Sequence, residues 1–182
     1  MAVYIESGLR LDLPNGQHFR FADLPPYKSV SGLQLKEMDF AWVSIGKLFL
    51  QEVRSCSQVT TTLTATDFVP TKGQPIPYRF QTLIDKVTDS TLILLAAWAG
   101  SAWGQQLKAA LPLTAQARML LKLVIAIDLP SALSIHFQGL RDSLNARLQG
   151  RVALADVPRV VLIDYARPIS DPAFCGFVTA HP

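Results

Sequence analysis

Two acids and a base stand out in Lys36-Glu37-Met38-Asp39-Phe40-Ala41-Trp42-Val43 and, after Ser44-Ile45-Gly46-Lys47, in Leu48-Phe49-Leu50-Gln51-Glu52-Val53-Arg54-Ser55. Both segments read as strands, and Asp39, Glu52 and Arg54 interrupt their apolar runs. With Ile45 and Gly46 as a two-residue loop, Val43 pairs with Leu48, Ala41 with Leu50, Asp39 with Glu52 and Glu37 with Arg54. Directly paired residues have Cβ atoms about 4.5–5.5 Å apart, close enough for two carboxylates to share one divalent cation. Without a cation the two acids repel, and one must take up a proton or a counter-charge. Period-two alternation sets Arg54 on the face of Glu52, so the three groups converge. The register carries this expectation, because Ile-Gly is not a preferred two-residue turn and a bulge there would shift one strand by a residue.

The elements that must position these groups are legible in outline. Residues 9–21 alternate around Pro14-Asn15-Gly16, which predicts an N-terminal hairpin, and residues 35–55 form the motif hairpin. Ala22 to Gly32 reads as a connecting loop, and Gln58 to Tyr78 as irregular chain or an edge strand through Val59 to Thr66. From Arg79 to Ala99, Phe80, Leu83, Ile84, Val87, Leu92 and Leu95 recur at helical spacing, with an interruption expected around Thr88 to Thr91 and an end at Gly100. A short helix over Ala102 to Leu111 follows. Arg118 to Leu129 and Arg159 to Tyr165 are apolar on both faces, as central strands covered on two sides are. Between them Ser131 to Leu148 predicts a helix ending at Gly150, and residues 166–182, with three Pro, read as a tail. The order predicts an α/β three-layer sandwich, a central mixed sheet flanked by helices, as one domain over residues 1–182.

An Asp in one strand, a hairpin turn, then acid-x-base at the end of an apolar strand, a long helix and another strand: this pattern resembles the PD-(D/E)XK nuclease superfamily. The matched residues are Met38-Asp39-Phe40 and Leu50-Gln51-Glu52-Val53-Arg54, within an element order covering about residues 30–130. The resemblance implies a restriction-endonuclease-like fold in which Asp39, Glu52 and the Val53 carbonyl bind Mg²⁺ or Mn²⁺ and position 54 orients the attacking water. It implies metal-assisted hydrolysis of a nucleic-acid phosphodiester, with DNA as the partner. It also invites a further acid ligand, for which Glu6 and Glu37 are the candidates. Met38 stands where the superfamily usually has Pro, a position without a catalytic group. Arg54 stands where it usually has Lys, and an Arg stays charged where a Lys can give up its proton. Lys36 could supply an amine, but alternation puts it on the face opposite Asp39. Lys28, Lys72, Arg79 and Lys86 are candidates for phosphate contacts that position a substrate without reading its sequence. The alternative reading is an inactive nuclease-fold module for protein assembly or nucleic-acid binding.

Composition sets the bounds. With 182 residues, 49% hydrophobic and 17% charged, the chain has the material for a core and is not disordered. A net charge of +3 permits contact with polyphosphate but is far from histone-like. Cys56 and Cys175, without ligand-spaced partners, support neither a disulfide framework nor a zinc site. Free thiols and an N-terminus without an export pattern lead to a cytoplasmic expectation. Ser90 to Leu107 is uncharged, but Gly100, Ser101, Gly104, Gln105 and Gln106 break it, so it reads as a buried helix rather than a membrane span. His18, His136 and His181 share no spacing, Trp42, Trp98 and Trp103 read as core, and Arg141 to Arg147 as a solvated face. No Gly-x-Ser-x-Gly elbow or phosphate-binding glycine loop is present. A second copy or a protein partner stays open.

Overall fold

The computed structural model describes residues 1–56, 63–165 and 178–180. Its five-stranded mixed sheet runs β3 (His18–Phe19), β4 (Phe40–Ser44), β5 (Lys47–Ser55), β6 (Leu120–Asp128), β7 (Val161–Asp164). The pairings β3–β4 and β4–β5 are antiparallel, whereas β5–β6 and β6–β7 are parallel. The parallel pairs need crossovers, which α2 (Tyr78–Ala99) and α4 (Phe137–Ala153) supply. Because successive strands advance in one direction across the sheet, crossovers of one hand put both helices on the same face. There Leu83, Val87 and Leu94 of α2 and Leu140, Leu144 and Leu148 of α4 pack on Leu48, Leu50, Leu123 and Ile125. The short helices α1 (Pro25–Lys28) and α3 (Ala102–Ala110) join this layer through Tyr27 and Leu107.

The opposite face is covered by strands rather than by a second set of helices. A three-stranded antiparallel sheet, β1 (Ala2–Glu6), β2 (Leu9–Leu13) and β8 (Val178–Ala180), sets Leu9, Leu11 and Leu13 against Phe40, Trp42, Phe49, Val53 and Ala126. The α/β class and the mixed central sheet are as the sequence predicts. The described residues form three layers, with helices on one face of the mixed sheet and the small sheet on the other, an arrangement compatible with the three-layer sandwich that the sequence predicts.

The N-terminal hairpin is also corrected. Leu9–Leu13 pairs back with Ala2–Glu6 through Ser7 and Gly8, both at positive φ, while His18–Phe19 joins the other sheet against Ala41 and Trp42. Pro14-Asn15-Gly16 therefore carries the chain between sheets instead of closing a hairpin over residues 9–21. The long helix runs without interruption through Thr88 to Thr91 and ends at Gly100 in the left-handed conformation. There α3 crosses so closely that a Cβ on Gly104 would lie 2.0 Å from the Ala96 carbonyl oxygen. The helix expected from Ser131 begins with a 3-10 turn over Ser131–His136 and becomes α-helical at Phe137. Within the candidate edge strand Val59 to Thr66, Leu63 and Thr64 are irregular and lead into a 3-10 turn over Ala65–Asp67, residues 59–62 lie outside the described residues, and so does most of the tail. Among the described residues no helix is long and apolar enough to cross a membrane.

The motif hairpin has the expected register. Val43 pairs with Leu48, Ala41 with Leu50 and Ser44 with Lys47, so Ile45 and Gly46 form the two-residue loop. Their φ values of 49° and 67° are both positive, the geometry that matches strand twist in tight hairpins. Gly46 tolerates it; Ile45, β-branched, is held there at a cost of about 1–2 kcal/mol. Ile45 is 81% exposed, so it gains little packing in return. Replacing it by Asn, which accepts the left-handed region, is expected to stabilise the fold by about 1 kcal/mol and raise the thermal midpoint by about 2–4 °C. An unchanged or lower midpoint in a calorimetric scan would contradict strain at this turn.

Candidate functional site

Lys86, Asp89 and Ser90 lie on one face of α2, at the i, i+3 and i+4 spacing that aligns helix side chains. The chain leading into β4 runs along this face. An Asp89 carboxylate oxygen accepts the backbone N–H of Lys36 at 2.9 Å, and the hydroxyl of fully buried Ser90 accepts that of Met38 at 2.8 Å. These bonds draw residues 36–38 off the ladder, whose last pair is Phe40 with Gln51.

Asp39 sits at the resulting bend, held from three sides. Arg20, stacked over the Phe40 ring at 4.9 Å, donates from Nε to the Asp39 carbonyl at 3.2 Å. The Val53 backbone N–H donates to Asp39 Oδ2 at 2.8 Å, and Lys86 Nζ to Oδ1 at 3.2 Å. The same ammonium reaches both oxygens of Glu52, at 2.8 and 2.7 Å. Thus the two acids expected to face each other do converge, one step past the end of the ladder, and a lysine from the helix lies between them. The Glu52 side chain is 2% exposed, whereas Asp39 and Lys86 are 17% and 18% exposed, so the cluster opens on the Asp39–Lys86 side.

Burial and the neighbouring Asp39 carboxylate push the Glu52 carboxyl up, to about 8, although Lys86 pulls the other way. Burial would lower Lys86, but the two acids outweigh it and hold its ammonium above the ordinary lysine value. Between its ordinary 4.5 and about 8, Glu52 binds more proton in the folded chain than in the unfolded one. Its contribution to stability is therefore full at low pH and is lost as pH rises through about 8. The Lys86 contribution is lost only at still higher pH.

Arg54 shares the Glu52 face of β5 but does not approach the acids as Lys86 does; it lines a narrow cleft with Glu52, Arg79 and Phe68. The Glu37–Arg54 pairing is corrected: residues 36–38 have left the ladder, and Glu37 accepts a hydrogen bond from the Tyr27 hydroxyl. Lys36 pairs with Asp85 at 2.7 Å, away from the acids. Glu6 lies 3.8 Å from Arg20, so neither candidate for a further acid ligand joins Asp39 and Glu52. Among the described residues no group of three or more His, Cys, Asp or Glu side chains is placed to hold a metal. Lys86, set in the sequence among scattered phosphate contacts, is the residue whose role the sequence reading missed. Its signal was the polar stripe Lys86, Asp89 and Ser90 at helical spacing on α2.

Comparison of the chain with known family models, curated proteins and solved structures finds no match.

Because Lys86 is the sole cation hydrogen-bonded to either carboxylate among the described residues, its loss strands both of them. Lys86→Met, which keeps the apolar stem, is expected to destabilise the fold by about 3–5 kcal/mol. The variant removes the group that lowers the Glu52 pKa, so it takes up more proton on folding than the wild type. The stability gap should accordingly be wider at pH 8 than at pH 5 in urea titrations, and adding Glu52→Gln should narrow it. A gap independent of pH and unaffected by the second substitution would show that Lys86 does not neutralise this pair.

Proposed function

We propose that this protein is a metal-dependent phosphodiester hydrolase acting on nucleic acid, with Asp39, Glu52 and Lys86 at its centre. The observation that carries the reading is the meeting of both acids around one positive charge, in the hairpin register predicted from the motif. The donor set fits a hard divalent cation: Mg²⁺ is commonly held by one or two carboxylates, retained waters and substrate phosphate rather than by an all-protein cage. Asp39 and Glu52 would hold it, and the Val53 carbonyl is a third candidate. That carbonyl lies on the strand edge that also directs the Val53 N–H to Asp39, because the two groups of one strand residue face the same neighbour. A bound Mg²⁺ or Mn²⁺ supplies polarisation of the phosphoryl group and a more acidic water.

The chain's own residues do the rest. The Arg20 and Val53 contacts fix Asp39, so its carboxylate does not have to be ordered when the site loads. Lys86 neutralises the acids in the free protein. Its four-carbon stem lets the ammonium swing aside and stay beside the reacting phosphate, where it can orient a water and stabilise developing charge. In this reading Lys86 supplies from the helix the amine that Arg54 cannot supply from the strand. The alternative, a non-catalytic module of nuclease-like build, is favoured by the same ammonium, since a pair already neutralised by lysine has no need of a metal.

Incubation with plasmid and with single-stranded and branched DNA separates the two. The wild type is expected to cleave with Mg²⁺ or Mn²⁺ and to stop when EDTA is added. Asp39→Ala and Glu52→Gln should each lose activity by a factor of about 10²–10⁴ while remaining folded by circular dichroism. Equal behaviour of wild type and Asp39→Ala, or cleavage that persists in EDTA, overturns the hydrolase reading.

A further inference from the structure

Beside the acid pair, two arginines line one cleft, and among the described residues neither forms an ion pair with a carboxylate. Arg54 follows Glu52 by two residues on the same face of β5, and Arg79 precedes Lys86 by two turns on the same side of α2. Both line the cleft, with Phe68, Leu83 and Ile127 forming apolar walls and Glu52 at one side. Arg79 lies over the Phe68 ring at 5.8 Å, which leaves its N–H edge available.

The nearby acids make their hydrogen bonds elsewhere, although Arg79 is close enough to Asp67 to help hold its carboxyl below the usual value. Both Glu52 oxygens accept from Lys86, Asp67 accepts from the backbone N–H and hydroxyl of Thr64, and Asp128 accepts from the Ser55 hydroxyl. Among the described residues neither Arg54 nor Arg79 has an ion-pair partner. Two like charges sharing an apolar-walled cleft are unfavourable alone and attract an anion strongly, because low local polarity strengthens the attraction. The free space is about 10 Å³, room for one water-sized group. That volume admits a single oxygen and excludes a whole carboxylate or phosphate, so the rest of the anion must remain at the mouth.

We propose that Arg54 and Arg79 clamp one non-bridging oxygen of a nucleic-acid phosphodiester in this cleft and so seat the backbone against the Asp39–Glu52 pair. The clamp rests on the hydrolase reading for its substrate class, but it is tested by binding alone. It gives Arg54 a task suited to a permanently charged, fork-shaped donor and not to a lysine.

The full chain is titrated with a fluorescein-labelled oligonucleotide, single-stranded and duplex, in EDTA, and anisotropy is read at several salt concentrations. Arg54→Ala and Arg79→Ala are each expected to weaken binding about tenfold and to reduce the salt slope by about one. The double variant should be little worse than either single one, since both residues hold the same oxygen. Arg54→Lys and Arg79→Lys, which keep charge and bulk, should recover only part of the affinity. Arg147→Ala, an exposed site on α4, should do less than either clamp variant. An oligonucleotide with neutral methylphosphonate linkages should bind wild type and clamp variants equally. The clamp is overturned if the wild type does not bind, if the clamp variants match Arg147→Ala, or if the neutral linkages preserve the difference. Clamp-dependent binding without cleavage overturns the hydrolase reading alone, and cleavage with binding indifferent to both arginines overturns the clamp alone.

Discussion

The Lys86 ammonium is the charge on which the local structure depends. It spends its three donors on Asp39 and on both oxygens of Glu52, one of the few polar or charged residues buried within the fold. A carboxylate in that position is unfavourable by itself, and a second one close by makes it more so. The helix, the strand and the bend before β4 are therefore coupled through one cation. α2 cannot rotate without uncovering Glu52, and β5 cannot slip by a residue without turning Glu52 from the helical layer into Phe40, Trp42 and Phe49 on the other face. Burial that makes the acids unfavourable is the same burial that makes their attraction for a cation large, whether that cation is an ammonium or a metal ion.

What the sequence made legible follows from how local each signal is. The register of the motif hairpin came from counting across a two-residue loop, because side-chain alternation has a period of two and the apolar runs on both strands had to face the same layers. The strands around Leu123 and Leu162 and the helix around Leu83 were visible for the same reason: each buries enough apolar surface to leave a periodic trace. The N-terminal strands misled because Pro14-Asn15-Gly16 carries a hairpin signature, whereas Ser7-Gly8, the turn that pairs two strands, is the weaker signal. Phe19 and Leu13 look equivalent in an alternating pattern. Only the third dimension sends one to each sheet.

The site was half legible for a related reason. Asp39 and Glu52 interrupt apolar strands, and such interruptions announce themselves. Lys86 is 34 residues from Glu52 in sequence, and a lysine on a helix is ordinarily solvated. Its role depends on Asp89 and Ser90 drawing the chain before β4 onto α2, two backbone hydrogen bonds that no periodicity encodes. Those bonds also explain why Glu37 does not meet Arg54: a ladder continued past Phe40 would have paired them, and the helix competes successfully for Lys36 and Met38.

An arginine at position 54 is compatible with the lysine at position 86. A strand lysine two residues beyond Glu52 would place a second ammonium near acids that already have one, and two ammonium groups competing for the same carboxylates gain less than one. With the amine on the helix, position 54 is open to a group that acts on something else. Arginine suits that position because its weakly hydrated, planar head can rest among Phe68, Leu83 and Ile127 at less desolvation cost than an ammonium. Arg79 meets it there because α2 has to cross β5 closely enough to deliver Lys86 to Glu52, and a side chain two helical turns earlier on the same face then arrives near the next outward position of the strand. One crossing of helix over strand thus sets both groups of charges, the acids around a lysine and the arginines around a small cleft, side by side along a single line of the sheet.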